Sequence, residues 1–184
     1  MDKKMILLTV AAYSVLTFQT SKKPRQVSSR AEIASVRRFA QRFYDWYTPK
    51  VLHENVDAEH LALVKKGAEF APELRHALLD DWQAQHDWNA KGNDGIVGID
   101  WDPFLSGQDP ANRYWVKKIE RNGKRWRVSV WSHYGEQSHE PNVIAIVEKS
   151  KTQFGWEFVD FDYGKEGTLL EALKALKKNR DSNP

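Results

Sequence analysis

The hydrophobic pattern of this chain changes its period near residue 110, and that change constrains the fold more than any other feature of the sequence. Between residues 29 and 92 apolar side chains recur every three or four positions, the spacing of one helix face. Between residues 113 and 163 they alternate or gather in short runs rich in Trp, Tyr, Phe, Val and Ile, the spacing of strands. Helical sequence segregated ahead of strand sequence predicts an α+β domain with an antiparallel sheet, because a parallel sheet needs the two to alternate. One further helical stretch closes the pattern.

Ser29-Arg30-Ala31-Glu32 has capping-box spacing, so a helix is expected to begin there. Ile33, Val36, Ala40, Phe43 and Tyr47 form its inward stripe, widened by Phe39 and Trp46, and Thr48-Pro49 is expected to stop it. A second helix is predicted over 56–66, with Leu61 and Val64 inward and Gly67 as its stop. A third begins at Pro72, carries Leu74, Ala77, Leu78 and Trp82, and ends by Asn93-Asp94-Gly95. Residues 95–110 read as a structured loop with one short strand at 96–99.

Four strands are predicted, over 113–121, 124–134, 142–148 and 155–163. Asn122-Gly123 suits a type I′ hairpin turn, which needs positive φ at both central positions. That turn would set Trp115 opposite Val130, Lys117 opposite Val128 and Ile119 opposite Trp126 on the core face. Tyr114 with Trp131, Lys118 with Arg127 and Glu120 with Arg125 would then face outward. A C-terminal helix over 168–178 shows Leu169, Leu170, Leu173 and Leu176. The expected organisation is a signal peptide or uncleaved hydrophobic segment at 1–21, a polar linker at 22–28, a single α+β domain at 29–178 and a polar tail at 179–184.

Composition narrows the function classes. The chain has no Cys, which excludes disulfides, thiolate metal sites, a cysteine nucleophile and a lipid-modified cysteine anchor. Its net charge of +3 is unevenly placed. Residues 1–30 hold six Lys/Arg against one acid, a net +5, and the remainder carries 22 basic against 24 acidic side chains, a net −2. A near-neutral domain argues against a surface that tracks nucleic-acid phosphates. Lys3 and Lys4 precede a mostly apolar run at 5–18, followed by Gln19-Thr20-Ser21-Lys22-Lys23-Pro24. That order of regions is expected of a secretory signal, so export to the periplasm or beyond is expected, with membrane contact only through this segment.

The acids Asp100, Asp102, Asp109, Asp160 and Asp162 are the foremost candidate set, either as ligand or acid/base groups or as turn formers, since Asp102 and Asp109 each precede a proline. Tyr114, Trp131 and His133 on the outer hairpin face are the candidate contacts for a ligand or partner. The Lys118–Arg127 pair there would cost a few tenths of a kcal/mol or so unless an anion lay over it. The six histidines lack metal-ligand spacing, and no Walker loop, dinucleotide fingerprint or Gly-x-Ser-x-Gly elbow occurs. No metal, cofactor or catalytic residue is assigned.

The run Arg42-Phe43-Tyr44-Asp45-Trp46-Tyr47, the 74–81 helix, Gly98-Ile99-Asp100-Trp101-Asp102-Pro103-Phe104 with Gln108-Asp109, and Trp156-Glu157-Phe158-Val159-Asp160-Phe161-Asp162-Tyr163 together resemble the bacterial envelope family known as domain of unknown function 3828. The resemblance covers roughly residues 35–175. It implies a nuclear-transport-factor-two-like cone, a curved sheet wrapped on a long helix around a pocket, and a secreted or lipid-anchored location with no established activity. The expected function is a non-enzymatic binding or interaction module of the cell envelope, with a protein partner or small apolar ligand and no nucleic acid. Two alternatives stand beside it. One is an enzyme using Asp100, Asp102 and Asp160 with His133 or Tyr163 in the cone mouth; the other is a protective partner of an exported toxin.

Overall fold

Helix α1, Arg30–His53, is the axis on which the rest is assembled. The computed structural model describes residues 30–53, 57–151 and 155–182, so the expected signal segment, the linker and Ser29 of the capping box lie outside the described residues. Val36, Phe39, Ala40, Phe43, Tyr44 and Tyr47 are its buried stripe. The helix does not stop at Thr48-Pro49 as expected. Proline removes only the bond to the Asp45 carbonyl, and packing of Val51 on the core carries the helix one turn further.

Helix α2, Ala58–Lys65, begins at Asp57, whose carboxylate accepts from the His60 N–H at 2.9 Å. It buries Ala58, Ala62 and Leu63, and the predicted inward Val64 is instead 55% exposed. Gly67 opens a single 3-10 turn, Gly67–Glu69, rather than terminating the chain direction. Helix α3, Pro72–Ala90, has its proline in the first turn as expected. The predicted strand at 96–99 is absent because its donors are already used. Gln85 Oε1 accepts from the N–H groups of Val97 (2.8 Å) and Gly98 (3.2 Å), and Asp81 Oδ2 accepts from Ile99 N–H (2.8 Å).

The sheet is an antiparallel meander in the order β1 (Trp115–Asn122), β2 (Arg125–Trp131), β3 (Val143–Lys149) and β4 (Trp156–Asp162). The predicted register is corrected in two ways. The turn residues are Gly123 and Lys124, with Asn122 paired to Arg125; Gly123 has φ +62° and Lys124 no positive φ, the pattern of a turn with glycine first. A bulge then falls between Val116 and Lys118, so Ile119 faces Val128 and Val116 faces Val130, while Trp115 turns outward opposite Trp131. Lys118 lies opposite Ser129, not Arg127, so the expected like-charge pair does not form.

A second bulge, between Ile146 and Val147 in the β3–β4 pairing, places Val159 as the extra residue. Phe158 and Phe161, three apart, therefore both reach the core. A short helix α4, His133–Ser138, replaces the end of the second predicted strand. Helix α5, Leu169–Ser182, extends into the predicted tail. Thr168 and Glu171 exchange hydrogen bonds at its start, and Arg180 bonds the buried Asp81 of α3.

Between α1 and the sheet the space is filled. Phe43 lies 5.0–5.6 Å from the rings of Tyr44, Tyr47, Phe70, Phe104 and Phe158. Where a cone was expected to enclose a pocket, the described residues pack aromatic rings instead, so ligand-sized spaces lie at the surface. Among the described residues no helix is long and apolar enough to cross a membrane.

Candidate functional site

The loop between α3 and β1 is shaped by one aspartate. Asp102 Oδ1 accepts from the N–H groups of Phe104 (2.9 Å) and Leu105 (3.0 Å), the bonds by which an aspartate before proline organises a turn. Its backbone closes the same turn, Asp102 N–H donating to Gly107 O (3.1 Å) and Ser106 N–H to Asp102 O (2.9 Å). Ser106 adopts φ +58° where the chain reverses. Three tyrosines hold this turn to the core. Tyr47 donates to Asp102 Oδ2 (2.8 Å), Tyr44 to Phe104 O (3.2 Å) and Tyr163 to Pro103 O (2.7 Å).

Burial raises the Asp102 carboxyl to about 6 against the pull of those hydrogen bonds. Burial likewise raises Tyr44 and Tyr47, with Asp102 adding to both, and raises Tyr163 against the Trp101 indole beside it. Glu59, half-buried near the start of α2, is pushed well up by burial and by the charges of Asp102, Asp57 and Asp81. Nothing in its sequence setting signals this, since an acid in the first turn of a helix ordinarily sits in water against the helix dipole.

The other predicted acids are scattered. Asp160 Oδ1 accepts from its neighbour Phe161 N–H (2.9 Å) and from Leu170 N–H in the first turn of α5 (3.1 Å). Asp162 pairs with Arg127 (2.8 Å) and accepts from Gly164 N–H (2.7 Å). Asp100 is exposed, and Asp109, also exposed, makes no turn bond of the kind expected before Pro110. Asp102, Asp160 and Asp162 are thus each engaged in their own neighbourhoods, and among the described residues no hydrogen bond joins the side chains of Asp100, Asp102, Asp160, His133 and Tyr163 to one another. Among the described residues no group of three His, Asp or Glu side chains is placed to hold a metal ion.

The outer hairpin face is also rearranged. Tyr114 is buried, stacked at 6.3 Å on Tyr44, and its hydroxyl accepts from Ala111 N–H (3.0 Å). Trp131 is half-buried with Lys117 Nζ 4.0 Å over its ring, and its indole N–H is buried without a partner. His133 is exposed on α4 and lies 3.9 Å from the Tyr134 ring. The bulge at Lys117 separates Tyr114 from the other two.

What the loop does create is a pocket of about 290 Å³ between itself and the end of β4, lined by Trp101, Ser106, Gly107, Gln108, Tyr163 and Ala172, with Glu166 on its wall. Trp101 and Tyr163 stand edge to face at 6.3 Å and 87°. Gln108 is steadied by donating to Asp100 O (3.0 Å). No family model, curated protein or solved structure matches this chain. The functional reading therefore rests on these residues alone.

Proposed function

We propose that this chain is an exported protein of the bacterial envelope that binds a small, flat, apolar ligand against the paired rings of Trp101 and Tyr163 without transforming it. The observation that carries the reading is the pair of perpendicular rings over a ligand-sized space, mounted on a turn held by Asp102 and three tyrosines. A rigid aromatic wall loses little entropy when a ligand arrives, which is how small pockets gain affinity. The polar groups around it favour binding over chemistry. Tyr163 keeps its proton, since burial raises its pKa, and its hydroxyl donates a hydrogen bond to Pro103 O; Asp102 is committed to the turn and does not line the pocket. Export is supported by the charged and apolar order of residues 3–24.

The test is a titration of the full chain with indole followed by amide and indole N–H chemical shifts. Signals of Trp101, Gly107 and Ala172 are expected to move together with a dissociation constant of roughly 0.1–1 mM for so small a ligand. Trp101→Ala should abolish the shifts while leaving the thermal unfolding curve nearly in place. Unmoved signals, or equal binding by the variant, would remove the pocket from consideration. For export, the intact mass of the protein taken from the envelope fraction should correspond to a chain shortened near residue 21; a full-length chain confined to the cytosol contradicts that half of the proposal.

A further inference from the structure

A second site is built where α1 meets the start of β4. Arg38 and Arg42 are both exposed and stand one helical turn apart, and neither has a carboxylate partner among the described residues. Like charges at this spacing oppose helix formation, so the pair is not there to stabilise α1. The neighbouring Arg37 differs: it donates to the carbonyls of Val116 and Lys117 on β1. Arg38 and Arg42 line a groove of about 470 Å³ together with Ser35, Phe39, Glu69 and Trp156. Glu69 is already paired with Lys66 at 3.3 Å and offers the arginines little.

Trp156 forms one wall and is held still. Its indole N–H donates to Ser35 Oγ (2.9 Å), and its ring meets Trp126 edge to face at 6.3 Å and 87°. Beyond it a second groove of about 320 Å³ carries Arg121, Lys124, Lys149 and Lys151 against Glu32 and Glu148, and Glu32 is taken by Arg121 and Lys149. The two grooves thus gather six cations against three carboxylates. Residues 31–184 as a whole carry a net −2, so this concentration of positive charge is local.

We propose that the Arg38–Arg42–Trp156 groove binds a small organic phosphate that carries a planar ring. Two guanidinium forks one turn apart, with Cβ atoms about 5–6 Å from each other, can close on the oxygens of one phosphate, whereas a carboxylate is satisfied by a single fork. The fixed indole supplies a flat face for the ring, and the groove volume falls within the range of small-ligand sites. This site is separate from the pocket beside Trp101 and stands or falls without it.

The test uses the full chain and phenyl phosphate, with inorganic phosphate and phenol as controls, read by calorimetry and by Trp156 indole N–H shifts. Phenyl phosphate is expected to bind more tightly than either control. The double variant Arg38→Gln/Arg42→Gln, both positions being exposed, should weaken it by about tenfold or more through loss of charge-assisted bonds. Trp156→Leu should reduce phenyl phosphate to the affinity of inorganic phosphate; Trp156→Phe should keep the preference and shows that the fold tolerates the change. No saturation by about 10 mM, weaker than any affinity useful to a site of this size, overturns the proposal. So does unchanged binding by the double arginine variant. A short oligothymidylate that displaces phenyl phosphate at far lower concentration overturns it in favour of a single-stranded nucleic acid.

Discussion

Asp102 accepts hydrogen bonds from Phe104, Leu105 and Tyr47, yet burial still lifts its pKa from the ordinary 3.8 to about 6. The folded protein therefore holds on Asp102 a proton that the unfolded chain releases at lower pH. The sign follows from proton linkage: this group favours the fold most below pH 3.8, and stability falls as pH rises from there to about 6 and levels above it. A rise of that size is worth about 3 kcal/mol. In Asp102→Asn the carbonyl oxygen keeps the two backbone donors, the amide meets the Tyr47 oxygen, and the titration is gone. The unfolding free energy of the natural chain minus that of the variant, measured in urea, should fall by about 2 kcal/mol between pH 4 and pH 7, the rest of the change lying below pH 4. A difference that stays flat over that interval would show that the carboxyl does not carry its proton in the fold. The turn-forming role of Asp102 was legible from the proline after it; its burial was not, because that comes from Tyr44 and Tyr47, more than fifty residues away.

Among the secondary-structure elements, β1 shows how a helix can finish a sheet. Gln41 of α1 accepts from Val116 N–H (2.8 Å) and donates to Tyr114 O (3.1 Å), as a neighbouring strand would, and Arg37 bonds the carbonyls of Val116 and Lys117. These bonds satisfy the bulge and cover an edge otherwise open to pairing with another chain. Gln41→Ala strips both bonds and should cost about 1–3 kcal/mol, since a half-buried N–H and carbonyl lose their partner. Amide exchange should report it as faster exchange at Val116, with the β2–β3 amides hardly affected. A variant as stable as the natural chain would mean that water replaces Gln41 without loss. The hairpin register failed to follow from Asn122-Gly123 for the same reason. Gly-Lys fits the two-residue turn as well as Asn-Gly does, and the bulge is specified by α1, a segment 73–80 residues away along the chain.

The aromatic interior ties together parts of the chain that share no sequence neighbourhood. Phe43 of α1, Phe70 ahead of α3, Phe104 of the loop and Phe158 and Phe161 of β4 lie in one cluster of touching rings. The edge of β4 is sealed by the same arrangement, Ala71 N–H donating to Phe158 O at 2.8 Å. Helix α5 closes against α3 through Arg180 and Asp81, Lys177 and Asp80, and Lys174 and Glu73. With one shared core, unfolding is expected to be a single transition, so far-UV circular dichroism and tryptophan fluorescence should trace coincident curves. Phe43→Ala should shift both curves together by about 3–5 kcal/mol. Curves that separate would show that the helices and the sheet are stable independently.

The order of elements, the α+β class and the inward faces of α1 and β2 could be read in advance, because hydrophobic periodicity is a local property that a short window of sequence already contains. The turn chemistry of Asp102-Pro103 and the start of α3 at Pro72 were local in the same sense. The bulges at Lys117 and Val159, the continuation of α1 through Pro49, the role of Arg180 in the supposed tail and the filling of the cone by rings were not. Each depends on a partner brought close only by packing, so its energy is absent from any window of the chain. The candidate acids show the same division most plainly: five aspartates close in type and spacing became a turn, a helix cap, an ion pair and two exposed side chains, according to which distant backbone or side-chain groups the fold set beside them.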